Sequence, residues 1–467
     1  MTASRYVSRH LSHIPKKGQK EIPANRVRLE TYLKNELSKL KKLHVGLTDD
    51  AHTFALLERK ISDKPVRAYF AGEVYAFVQR CVQQEGLVWK SGEQRLFQRV
   101  IPFVLEVVIS IQYFHNQILD SKAGVTCRNK KQIDQNLLSA NLLKEYLYEY
   151  IDQEAGAEEA TIITRYVRRI FKYVDIGQQI EKQWNTHKSY QQGTYRHLQL
   201  HEAPAVFTNP EQVTALLETL RQFYPERSAY LETYLRRIAL TSAALFALSA
   251  EMIVELSGYT GKARQQLLDF AWFYGMMQQV INDNADMVPS RFNHETSEKT
   301  ASDAFSDLRN HNVTLPLFLH LENLRHETES QGSDLVKNIL QGPFHAALSS
   351  DDEEQLFSEL KASGALYLSI DIGKYFGAMA QTCLVNSAGD CQTLLALCEV
   401  AEWNRYIYDC YNKKDPHNKR LRKQYKASAQ YSALASLIAQ AKRDRETPES
   451  TTPSGNQILS ALCSLIV

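Results

Sequence analysis

Along most of the chain apolar residues recur at the three- and four-residue spacing of an α-helix, and the two-residue alternation of a strand between hairpin signals is nearly absent. From Phe103 to Asp120 the apolar positions cover most of the helix circumference, which predicts a helix enclosed by other helices. Residues 136–185, 211–255, 264–287 and 312–325 read the same way. Polar breaks near 186–210, 288–311 and 346–354 predict loops between helices, and no internal repeat is present. The pattern predicts an all-α fold built as a single large helical bundle.

Composition adjusts this picture only slightly. A chain of 467 residues can bury a sizeable core, and 44% hydrophobic with 23% charged residues is ordinary for a globular protein. A formal net charge of +2 points to no nucleic-acid partner. The longest apolar runs are interrupted by Glu106 and Glu251, so none reaches the roughly 20 residues that span a bilayer, and both read as core helices. The cysteines are scattered without a CxxC pair, which argues against zinc and dithiol chemistry and suits a reducing, cytoplasmic setting. The first twenty residues are acid-free and rich in Ser, Arg and His, a composition shared by transit peptides and by frayed basic termini. After Asn404 the chain turns basic and ends in RETPESTTPSGNQILSALCSLIV, whose first part has a disorder-like composition. These shifts divide the chain into a basic N-terminal segment (1–29), a helical domain (30–407) and a basic C-terminal extension with a flexible tail (408–467). The basic stretch 411–426 reads as a solvated helix face.

Candidate chemistry gathers first at GMMQQVINDNADM, residues 275–287. Residues four apart share a helix face, so Asn282 and Asp286 project together with Asp283 beside them, and Gln279 stands one turn earlier. Mg2+ takes oxygen ligands and often completes its shell with water and substrate phosphates. Spacing alone favours the polar shoulder of an ordinary helix before Pro289. A second oxygen-rich helix end changes that reading: ISIQYFHNQILDSK closes a very apolar helix with His115, Asn116, Gln117 and Asp120, and Asn116 and Asp120 are again four apart.

Two such helix ends resemble the trans-isoprenyl diphosphate synthase (polyprenyl synthetase) family, whose two DDxxD motifs face each other over an apolar pocket. Around the second motif Gly275, Gln279, Val280 and NDNAD follow the family pattern, with Asn282 in place of the first aspartate. Downstream, DLRNHNVTLP is similar to the family's DLxxGKxTLP, with Asn312 in place of the lysine. Upstream, DKPVRA keeps Lys64 and Arg67 of a GKxxRP element, and TSAALF resembles KTAxLF with Thr241 in place of the lysine. SGALYLSIDIGKYFGAMAQTCL resembles a closing helix, and the likeness spans roughly residues 30–407. The resemblance implies Mg2+ held by Asp120, Asn282, Asp283 and Asp286, with Asp120, Asp283 and Asp286 catalytic in drawing off the diphosphate of an allylic substrate. It also implies diphosphate contacts from Lys64, Arg67, Arg128 and Arg309, with Asn116, Gln117 and Gln279 in support. Lys64 and Arg67 read otherwise as surface charges, and Arg309 as a partner of Asp307 or Glu322.

The departures are specific. The first motif reads NQILD, so Asp120, Asp283 and Asp286 are the motif carboxylates that remain, and the two lysines of the allylic site are absent. The leading reading is Mg2+-dependent transfer of an allylic prenyl group to isopentenyl diphosphate with altered metal motifs. Two alternatives stay open: a class I terpene synthase acting on one prenyl diphosphate, and a catalytically silent subunit of a heteromeric prenyltransferase. Either way a prenyl diphosphate is the expected ligand, and the partner is a second copy or a related synthase.

Overall fold

The computed structural model describes residues 16–43, 66–89, 94–119, 130–193, 210–295, 304–326, 334–384 and 405–446 without residue 413, with isolated positions between 53 and 61 and between 394 and 398. In chain order its helices are α1 Lys16–Leu43, α2 Val66–Gln84, α3 Ile101–Leu119, α4 Lys130–Glu154, α5 Ala157–Trp184, α6 His187–Gln192 and α7 Pro210–Arg221. They continue with α8 Ser228–Ile238, α9 Ala244–Ser257, α10 Ala263–Asp286, α11 Ser306–Arg309, α12 Leu315–His326 and α13 Asp334–Gln341. The last are α14 Ser350–Ala362, α15 Ala365–Leu384, α16 Arg405–Cys410, α17 Pro416–Lys426 and α18 Ala429–Glu446. Among the described residues there is no strand, and one isolated bridge joins Thr186 to Asn312. The fold is all-α, as the periodicity predicts.

Where the pattern was continuous, local chemistry sets the breaks. The segment 136–185 is cut at Ala155–Gly156 into α4 and α5, and 211–255 is cut by a 3-10 turn at Pro225–Arg227 and a π-turn at Ala239–Ala243. Thr186 caps α6, and Ser349 with Asp352 forms a reciprocal capping box on α14.

The chain divides into two compact units that interleave along the sequence. The first comprises residues 1–172, 248–267 and 387–400, and the second 173–247, 268–386 and 401–467. In the first unit α3 is apolar almost all round: Phe103, Val104, Leu105, Val107, Val108 and Ile111 are fully buried. α3 packs against α2 and α4, Phe103 meets Tyr150, and the buried Glu106 accepts a hydrogen bond from the Ala68 backbone N–H at 2.8 Å. In the second unit α15 is buried along nearly its whole length and packs against α12 and α18.

The compositionally distinct residues after 404 belong to this packing. The Tyr425 hydroxyl donates to Asp371 at 2.8 Å, its ring stacks on Tyr367, and Thr382 donates to the Ala441 carbonyl on α18 at 2.8 Å. On α17 Asn418, Leu421 and Tyr425 are buried while Lys419, Arg420, Lys423 and Lys426 are exposed, a solvated basic face over an apolar one. Two helical stretches, Leu96–Asn116 and Pro225–Ser257, are long and apolar enough to cross a membrane once their π- and 3-10-turns are joined to the flanking helices. They are 78% and 83% buried within the protein.

Candidate functional site

The site that can be built from described residues lies in the second unit, where α8, the π-turn, α10 and α11 meet. Two glycines let these elements approach. A Cβ on Gly275 would stand 2.5 Å from the Ala243 Cα, and one on Gly177 would stand 2.6 Å from the Thr241 methyl. α10 and α5 therefore both press on the π-turn that carries Thr241, the position of the pattern's lysine. A π-turn inside a helix commonly marks a functional position.

That approach brings the last turns of α10 onto α8. Asp283 is 3% exposed, and its Oδ2 accepts from the Tyr234 hydroxyl at 2.8 Å and from Arg237 Nη2 at 2.8 Å. Its Oδ1 accepts from Gln279 Nε2 at 2.8 Å. Arg237, 4% exposed, reaches Glu181 on α5 with its other terminal nitrogen at 2.7 Å. Burial pulls on the guanidinium, but Asp283 and Glu181 hold it firmly cationic, and Asp307 adds to them. Burial likewise pushes the Asp283 carboxyl above its usual range while Arg237, Gln279 and Tyr234 pull it back. Burial and Asp283 raise the Tyr234 hydroxyl well above its ordinary value, so it remains a protonated donor.

Asp286 is engaged differently. Its Oδ1 accepts from the Ser306 hydroxyl at 2.6 Å and its Oδ2 from the Asp307 backbone N–H at 2.8 Å, while its own carbonyl accepts from the Phe305 N–H at 2.7 Å. From across the chain it does the work of an N-cap for α11, whose own flanking residue, Phe305, supplies no side-chain cap. This capping explains a helical turn within 288–311, a segment that reads as loop.

The remaining expected residues fall as follows. Asn282 is exposed at the end of α10. Arg309 donates its Nε to the Ala346 carbonyl at 2.7 Å and Nη2 to the His345 carbonyl at 3.3 Å, so it holds a loop of its own unit. Arg67, at the start of α2 in the first unit, is half-buried, and its Nε has no hydrogen-bond partner among the described residues. Asn116 is exposed on the last turn of α3. Lys64, Asp120, Arg128 and the Gln117 side chain lie outside the described residues. The structure thus brings together Gln279, Asp283 and Asp286, and adds Tyr234 and Arg237, which motif spacing does not reveal. A signal for Arg237 exists: it falls on the buried face that Tyr230, Tyr234 and Ile238 mark on α8, a rare place for a charge.

His311 stands where the pattern has glycine and adopts φ 55°, the left-handed region that glycine favours. Asn312, in the lysine position, is buried, and its side-chain nitrogen has no hydrogen-bond partner among the described residues.

The residues present do not fit a divalent ion on Asp283. Oδ2 already takes two donors, one of them a buried cation, and the adjacent Asn282 is neutral and turned to solvent. Both oxygens of Asp286 are likewise engaged within the chain.

Residues 219–349, which include this whole constellation, match the family model described as polyprenyl synthetase. Over that stretch the chain is similar to the polyprenyl synthetases. It is 28% identical over 146 residues to the "Heptaprenyl diphosphate synthase component 2" of Bacillus subtilis (strain 168), a match covering 31% of this chain and 37% of that protein. Among solved structures it resembles a polyprenyl synthase from Caulobacter crescentus complexed with calcium and isoprenyl diphosphate. The TM-score is 0.56 at 16% identity, over 85% of this chain and 98% of that one. It also resembles a geranylgeranyl pyrophosphate synthase from Corynebacterium glutamicum complexed with isoprenyl diphosphate and magnesium. There the TM-score is 0.58 at 14% identity, over 82% and 98% of the two chains. Those likenesses carry the fold.

Proposed function

We propose that this polyprenyl synthetase relative is a prenyl-diphosphate-handling subunit that works with a related synthase chain bearing complete aspartate motifs, in a cytoplasmic heteromer. The observation that carries this reading is the engagement of both surviving second-motif carboxylates by the chain itself. Asp283 is neutralised by Arg237, and Asp286 caps α11. Catalysis of diphosphate departure needs charge preorganised at the leaving group. Here the second motif's charge is directed inward, and the pattern's lysines are Thr241 and Asn312. The Bacillus relative is by name one component of a synthase, which supports a partnered assembly.

A second reading, condensation of an allylic diphosphate with isopentenyl diphosphate by this chain alone with Mg2+, is favoured by one feature. Arg67 retains a half-buried guanidinium whose Nε has no partner among the described residues, at the position where the resemblance places the second diphosphate.

The deciding experiment supplies the purified chain with Mg2+ and allylic diphosphates of increasing length, with and without isopentenyl diphosphate, alone and mixed with a related synthase chain from the same source. The expected result is no product from the chain alone and a changed rate or product length on mixing. Longer diphosphates from the chain alone would establish the second reading. Hydrocarbons or alcohols from the allylic substrate alone would establish a terpene synthase.

A further inference from the structure

We infer that Arg237 is a resident counter-ion of the second aspartate motif, a protein cation standing at Asp283 where a divalent metal would otherwise stand, so that Asp283 is not a metal ligand in this protein. The inference deepens the subunit reading and rests on the same site, but it concerns metal binding and not turnover.

Three observations converge on it. First, the geometry is that of a built pair: Arg237 bridges Asp283 and Glu181 at 2.8 and 2.7 Å, with its side chain almost wholly out of water. Second, the charge has been relocated. The pattern's cation at position 241 is here a threonine, whose hydroxyl donates to the Arg237 carbonyl at 3.0 Å. The positive charge stands one helical turn earlier and faces Asp283. Third, neutral donors also engage the carboxylate, Tyr234 on Oδ2 and Gln279 on Oδ1. A divalent ion bound to this carboxylate would sit beside a buried guanidinium, and like charges repel strongly where water cannot screen them. Removing the guanidinium, by contrast, leaves a buried carboxylate with no cation beside it, the condition under which Mg2+ or Mn2+ binds.

The test titrates the full chain with Mn2+ and follows free Mn2+ by electron paramagnetic resonance, for wild type, Asp283→Asn, Arg237→Gln and the double variant. Wild type and Asp283→Asn should bind the same number of Mn2+ ions with the same affinity. Arg237→Gln should gain a site that disappears again in the double variant. Loss of a Mn2+ equivalent in Asp283→Asn relative to wild type overturns the inference, and that comparison decides it even where Arg237→Gln fails to fold. Turnover by the chain alone, with Mn2+ binding insensitive to Asp283→Asn, would remove the subunit reading and leave this inference standing.

Discussion

Two buried carboxylates, one in each unit, each take a tyrosine hydroxyl and a cation, and the cations differ. In the first unit Glu36 on α1, 1% exposed, accepts from the Tyr150 hydroxyl at 2.8 Å and from Lys39 Nζ at 2.8 Å. In the second, Asp283 accepts from the Tyr234 hydroxyl and from Arg237 at the same distances. The difference lies in the cation. Lys39 is 38% exposed, one turn along its own helix, and reaches in from the surface, where it also meets Glu154. Arg237 is 4% exposed and comes from another helix. The first centre can exchange its cation for water; the second cannot. An ordinary core carboxylate keeps its route to solvent, whereas the second motif has been sealed by a charge with no such route.

The sharpest way to break the comparison is to remove each cation. Arg237→Gln leaves the buried Asp283 without a counter-charge and should lower unfolding stability in a denaturant titration by about 3–5 kcal/mol. Near-equal losses for Arg237→Gln and the corresponding Lys39 variant would end the distinction. The second unit also holds an ionisable group that meets no counter-ion among the described residues. His320, fully buried on α12, has its pKa lowered by burial to about 4, and its Nδ1 meets the Ser363 hydroxyl at 2.8 Å. The unfolded chain takes up a proton near pH 6.5, while the folded one resists until about pH 4. The neutral ring's contribution is therefore complete above pH 6.5 and is lost as the pH falls towards 4. That loss amounts to roughly 3 kcal/mol. Stability measured against pH should fall less steeply over that window in His320→Gln than in wild type.

Smaller effects sharpen the picture. Asp286→Ala removes the cap of α11 and should destabilise by about 0.5–2 kcal/mol, with the loss confined to the 304–312 segment in hydrogen exchange. A greater loss, spread through the unit, would mean that Asp286 carries more than a cap. Lys39→Gln, at the least demanding of these positions, should change stability by no more than about 1 kcal/mol, because its ammonium is partly hydrated.

The legible part of this protein is uneven for physical reasons. Helical periodicity is a local property, so α3 and α10 can be read from the chain directly. The order and spacing of NQILD, NDNAD and DLRNHNVTLP survive substitution well enough to show the fold, and His311 keeps the backbone of the glycine it replaces. The roles of Asp283 and Arg309 were not legible. Motif position marks both as ligand-facing, yet one is paired with Arg237 and the other holds the carbonyls of residues 345 and 346.

By itself the sequence determined an all-α chain that resembles the polyprenyl synthetases and named the aspartates that its motifs retain. Tertiary structure decided what those aspartates do. Arg237 and Asp283 are 46 residues apart and meet because Gly275 lets α10 close onto the π-turn that follows α8. A counter-ion is defined by distance and by the exclusion of water, and neither is a property of any short stretch of chain.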